Sequence, residues 1–167
     1  MTLVGPETSP GAARIDGRSE FHAAVQRAFA QAAQGRAREL CLVDPDFEVW
    51  PLEDPALLSS LTAWARLPKR QLLMIAGRFD DLPRRCPRFT AWRRNWAHVI
   101  ECRATDVEAS QIPSLLLAGE HSLHLADRRQ WRGHWLGDDS EVNAWREVVD
   151  VLLQRSEADF PANTLGL

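Results

Sequence analysis

The side chains with chemistry to offer fall into three groups. Five histidines, His22, His98, His121, His124 and His134, supply imidazoles. Asp44 and Asp46 flank Pro45. Arg78, Arg84, Arg85, Arg88, Arg93 and Arg94 form the one concentration of charge, interleaved with Phe79, Trp92 and Trp96. Imidazoles and carboxylates move protons or hold metals. Guanidinium groups beside aromatic rings hold phosphates by charge and stacking.

Each group also has a plainer meaning. His121-x-x-His124 has the spacing of a metal pair, but on a strand residues three apart point to opposite faces, so no metal site is expected there. His124 and His134 can face each other across adjacent strands. Asp44 and Asp46 lie just past the C-terminal end of a predicted parallel strand, where open α/β sheets bind ligands. An Asx turn around Pro45 is the preferred reading, and no third acid is near enough to build a magnesium site. Asp44, Asp46 and His124 together make the one alternative catalytic constellation, a hydrolase of phosphate esters. The arginine group reads first as a solvated loop and helix face, partly cancelled by Asp80 and Asp81. Its second meaning is an anion site or a nucleic-acid patch. No Gly-rich phosphate loop, serine elbow or dinucleotide fingerprint occurs, and no cofactor is expected.

The elements that must position these groups read as a helix–strand alternation. Phe21, Ala24, Val25, Ala28, Phe29 and Ala32 make one stripe of a helix from about 19 to 34. Leu40-Cys41-Leu42-Val43 is a short buried strand. Asp54-Pro55 opens a second helix, to about 66, with Asp54 as N-cap. Leu72 to Ala76 lacks polar alternation and is predicted as a central strand covered on both faces. A short helix is predicted over 87–96 and a third strand over 99–103. Residues 112–125 read as two strands joined at Gly119-Glu120, and residues 131–136 as an edge or antiparallel strand bent at Gly133. Asp138 and Glu141 have capping-box spacing before a long closing helix.

With 167 residues and a net charge of −3, the chain suits one domain and is no electrostatic nucleic-acid binder as a whole. Its three cysteines form no close pair, which points to a reducing cytoplasm. No transmembrane segment or signal peptide is expected. The expected organisation is a flexible leader over 1–13, one α/β domain over 14–156 and a tail over 157–167, ordered where Phe160 or Leu165 docks.

The element order and the hairpin around Leu115-Leu116-Leu117-Ala118 resemble one half of the phospholipase D superfamily, a three-layer α/β/α fold with a mixed sheet. That family's His-x-Lys-x-x-x-x-Asp signature falls here on Ile112, Ser114 and Gly119. A closer resemblance is to an uncharacterised bacterial family with this degenerate pattern. It rests on Asp16-Gly17, Val43-Asp44 with Trp50-Pro51-Leu52, Pro87-Arg88-Phe89 and Arg155-Ser156. The superfamily's chemistry needs a histidine that attacks phosphorus and a lysine that offsets phosphoryl charge. Ile112 and Ser114 do neither, and no lysine occurs over 106–136.

The resemblance thus implies a catalytically inactive binding or regulatory module for an anionic ligand or a protein partner. It also implies a homodimer, since single halves of that superfamily pair. The two rivals are the hydrolase at Asp44, Asp46 and His124, and a nucleic-acid-binding domain using Arg84, Arg85, Arg88 and Arg93. A pure interaction protein would instead expose an apolar patch around Trp131 and Trp135.

Overall fold

The strand with no polar alternation lies inside the sheet, paired on both sides, as its composition requires. The computed structural model describes residues 3–161. In it β3 (Gln71–Ala76) lies between β2 (Glu39–Asp44) and β4 (Ile100–Thr105), all three parallel. β5 (Leu115–Leu117) and β6 (Leu123–Asp127) form the expected hairpin, with Leu115 opposite His124. β5 pairs antiparallel with β2, and β7 (Arg132–Trp135) continues outward from β6. Two three-residue strands close the edges: β1 (Arg14–Asp16) on β7 and β8 (Ser156–Ala158) on β4. Among the described residues the result is a mixed α/β fold with one eight-stranded mixed sheet, order β1-β7-β6-β5-β2-β3-β4-β8, and five α-helices.

Alternation along the central strands splits the core in two. Leu40, Leu42, Leu72, Met74 and Leu116 point into a cluster with α1 (Arg18–Gln31), α2 (Pro55–Ala65) and α4 (Pro87–Asn95). Cys41, Val43, Ile75, Leu115 and Leu117 point into a second cluster under α5 (Asp139–Gln154). Apolar packing on both faces explains the unbroken hydrophobic runs, and each fully buried Leu or Phe contributes about 1.5–3 kcal/mol. A four-residue helix, α3 (Leu82–Arg85), lies in the arginine-rich segment read as a loop.

The caps follow the sequence closely. Asp54 accepts from Ala56 N at 2.8 Å, and Asp138 accepts from Glu141 N at 2.8 Å. Glu141 does not complete the box on Asp138; its carboxylate takes Gly137 N at 3.0 Å. Gly133 is required by a close approach: a Cβ there would overlap His124 O and lie 2.9 Å from Leu125 Cα.

Residues 3–13 hold no helix or strand, and hydrogen bonds tie them to the body. Leu3 N donates to Gln111 Oε1 (3.0 Å), Ser9 Oγ to Glu141 Oε2 (2.7 Å) and Trp135 N to Ala13 O (2.9 Å). At the other end, β8 carries the sheet to Ala158, past the boundary drawn at 156, and Phe160 is buried. Leu165 lies outside the described residues. Among them no helix is long and apolar enough to cross a membrane, and Cys41, Cys86 and Cys102 are all free and buried.

Candidate functional site

Asp44 ends β2 and is fully buried. Its Oδ2 accepts from Asp46 N (3.1 Å) and Phe47 N (2.7 Å), which is the Asx turn expected around Pro45. Its Oδ1 accepts from Trp50 Nε1 (3.0 Å), and the Ser114 hydroxyl donates to it as well. Arg128 then closes the network from the β6–β7 turn, Nε on Oδ1 at 3.1 Å and Nη2 on Oδ2 at 3.0 Å. The same Nη2 reaches Asp46 Oδ1 at 2.7 Å. Burial of a carboxylate demands this density of donors. Phe47 stands at φ 61° in the left-handed region, held by its N–H on Asp44.

Sequence reasoning placed Asp44 and Asp46 together and missed Arg128. The partners lie 84 and 82 residues apart. The only signal was the run Asp127-Arg128-Arg129 between the strands predicted over 112–125 and 131–136.

His124 belongs to a neighbouring cluster. Its ring lies 4.5 Å from Trp145 and 5.5 Å from His134, centroid to centroid, and His134 Nε2 is 3.1 Å from Glu141 Oε1. Burial, with His134 adding to it, pulls the His124 pKa down to about 4, so the imidazole is neutral at pH 7. Burial alone would raise Glu141. Hydrogen bonds from Gly137 N, Ser9 and His134 more than offset that and hold the carboxyl below its usual range. His121 sits in the β5–β6 turn, edge-on to Trp135 at 6.1 Å. Among the described residues no group of three or more His, Cys, Asp and Glu is placed to hold a metal.

The three positions onto which the phospholipase D resemblance laid its signature lie as follows. Ile112 is 5% exposed and packs into the α5 cluster. Ser114 is 2% exposed, with its hydroxyl committed to Asp44. Gly119 takes φ 60° in the hairpin turn. A serine–histidine–acid relay would need an imidazole between hydroxyl and carboxylate. Here Ser114 bonds Asp44 directly, while His124 packs on Trp145 and His134.

The six arginines do not converge. Arg78 faces Asp80 and Asp81 at 3.8 Å, and Arg84 faces Asp81 at 3.3 Å, all exposed. Arg85 turns inward and donates to Asp46 O at 2.7 Å. Arg93 is buried, with Nε on Phe160 O at 3.2 Å. Arg88 and Arg94 are exposed on α4.

Two cavities flank the Asp44 network and share Arg128 and Arg129 as a common wall. The first, about 680 Å3, is lined by Ile112, Ser114, His124 and Asp127 among others. The second, about 690 Å3, is lined by Arg18, His22, Glu48, Trp50 and Trp131. Arg128 is spent on two carboxylates. Arg129 is exposed and has no ion pair among the described residues. The arrangement offers charge and hydrogen bonds to a bound group, and a neutral imidazole, but no activated nucleophile.

No family model matches the chain, nor does any curated protein. Among solved structures, the chain is similar to TrmBL2, an archaeal chromatin protein whose structure is described as showing a novel mode of DNA binding. The TM-score is 0.61 at 16% identity, over 94% of this chain and 57% of that one. The chain therefore spans little more than half the length of this neighbour, and at that identity the likeness shows a shared fold.

Proposed function

We propose that the chain is a binding module of three-layer, phospholipase D-like half architecture that has no phosphoryl-transfer chemistry and holds an anionic ligand at Arg129, beside the fixed Arg128. The observation that carries it is the wall these two residues form between the cavities. Arg128 is fixed there by Asp44 and Asp46, and Arg129 beside it is unpaired among the described residues. A fixed guanidinium loses little entropy when an anion arrives, and an unpaired one adds charge. The absence of turnover follows from Ile112 and Ser114, neither of which can attack phosphorus. Free, buried thiols suit a cytoplasmic setting. Pairing of two copies belongs to the same reading. Its interface would be largely polar, because Val4 is the large apolar side chain left exposed among the described residues.

Titration with inorganic pyrophosphate at low salt, read by calorimetry, tests the site. Binding that Arg129→Ala weakens at least tenfold supports it. No binding, or turnover of a phosphodiester by pure protein, refutes it.

Nucleic-acid binding is the second reading, favoured by the likeness to TrmBL2. The scatter of Arg78, Arg84, Arg85 and Arg93 among acids and buried partners weighs against it. A steep fall of DNA affinity with salt would establish it.

A further inference from the structure

We propose that the cavity between α1, the Trp50-Pro51 segment and the β6–β7 turn takes a nucleotide unit, with its phosphate at Arg18 and Arg129 and its base against the rings of His22 and Trp131. This rests on the anion-binding reading and names the ligand class.

Charge in the cavity is the first argument. Arg18, Arg85, Arg128 and Arg129 line it, against Glu48, Glu53 and Asp54. Two of those acids are committed: Glu53 Oε1 accepts from Arg88 N at 2.8 Å and Phe89 N at 3.2 Å, and Asp54 caps α2 while taking the Gln26 amide. Arg18 and Arg129 are both exposed and form no ion pair among the described residues. The uncommitted balance therefore favours an anion.

Shape and rings are the second argument. The volume, about 690 Å3, lies in the range of small-ligand sites. His22 and Trp131 are half-buried planar rings on its lining. Burial, with Arg18 adding to it and a backbone hydrogen bond at Val49 opposing it, lowers the His22 pKa, so the ring is a neutral stacking surface. Trp131 is a non-glycine residue at φ 49°, pinned by Gly17 N on its carbonyl at 3.0 Å. Its indole N–H is buried without a hydrogen-bond partner. The N–H therefore points into the protein, and what the ring offers the cavity is its planar surface. The Glu48 carboxylate, exposed and without a partner among the described residues, is available to accept from a base amino group or a sugar hydroxyl. A planar ring, an anion and hydrogen-bond donors occur together in a nucleotide.

The test compares AMP and CMP with inorganic phosphate, adenosine and a short single-stranded oligonucleotide, read by calorimetry and tryptophan fluorescence. The expected result is that a mononucleotide binds at least tenfold more tightly than phosphate. Arg18→Ala should weaken the nucleotide at least fivefold. Trp131→Leu and His22→Leu should each bring nucleotide affinity toward that of phosphate while leaving phosphate binding in place. Since Arg18 is exposed, its variant keeps the fold even if Trp131→Leu does not. An oligonucleotide that binds more tightly per unit than AMP assigns the unit to a single strand, and equal affinity assigns it to the free nucleotide. If phosphate and nucleotide bind equally, the nucleotide assignment fails and the anion reading stands. If neither binds, both fail.

Discussion

Asp44→Ala removes the acceptor on which three elements converge, and the structure sets the size of the effect. Three of its donors are buried: Phe47 N, Trp50 Nε1 and the Ser114 hydroxyl. Each buried donor left unsatisfied costs about 1–3 kcal/mol, and truncating one partner of a buried charge pair costs about 3–5 kcal/mol in all. Arg128 limits the loss, since its side chain is 30% exposed and keeps Asp46. The expected destabilisation is therefore about 3–5 kcal/mol, a fall in melting temperature of about 10 °C for a chain of this size. Asp44→Asn keeps the shape and loses the charge. Its amide nitrogen must face at least one of these donors, so about half the alanine effect should persist. Arg128→Met should cost as much as the alanine change, about 3–5 kcal/mol, because it strips the cation from a fully buried carboxylate that keeps only its Asp46, Phe47, Trp50 and Ser114 donors. Urea unfolding followed by circular dichroism reads all three. If Asp44→Asn lies within about 0.5 kcal/mol of wild type, the carboxylate is not the keystone of this network.

Stability should fall as pH drops from 6.5 to 4. His124 has its folded pKa at about 4, and the unfolded imidazole titrates near 6.5, so the unfolded chain takes up the proton first. The full effect is on the order of 2–3 kcal/mol. His124→Phe should flatten the slope by that amount, and an unchanged slope in denaturant melts across this range would refute the assignment. Gly133→Ala forces a methyl group against His124 O and Leu125 Cα, and should cost about 1–3 kcal/mol by thermal melting. Installing the missing signature, Ile112→His with Ser114→Lys, should destabilise the chain without creating diesterase turnover, because both positions are buried. Arg78→Ala and Arg84→Ala break only exposed pairs and should shift stability by less than about 0.5 kcal/mol in the same unfolding assay.

What the sequence made legible was local. The stripe from Phe21 to Phe29, the caps at Asp54 and Asp138, the all-apolar strands and the hairpin at Gly119 are each specified by neighbours within a few residues. The Asx turn at Asp44 was legible for the same reason. The edge strands β1 and β8 were not: three residues carry too little pattern, and each is defined by a distant partner, β7 and β4. The arginines show the limit most sharply. Six similar side chains close in sequence suggested one patch, but composition cannot say that Arg85 ends on the Asp46 carbonyl and Arg93 on that of Phe160. Arg128, outside the cluster, became the charge that matters because the β6–β7 turn delivers it to a buried carboxylate.

That delivery sets what surrounds Asp44. Here Ser114 spends its hydroxyl on Asp44, and the positive charge comes from Arg128 on the next turn of the meander. Asp44 thereby clamps the end of β2, the loop to Trp50, the entry to β5 and the turn after β6 in one buried network. A clamp of this kind fixes the cavity wall that Arg128 and Arg129 form. The same carboxylate should therefore govern both stability and ligand affinity. If Asp44→Asn weakens pyrophosphate binding no more than the exposed Arg78→Ala does, the network is a structural staple alone and the binding site lies elsewhere.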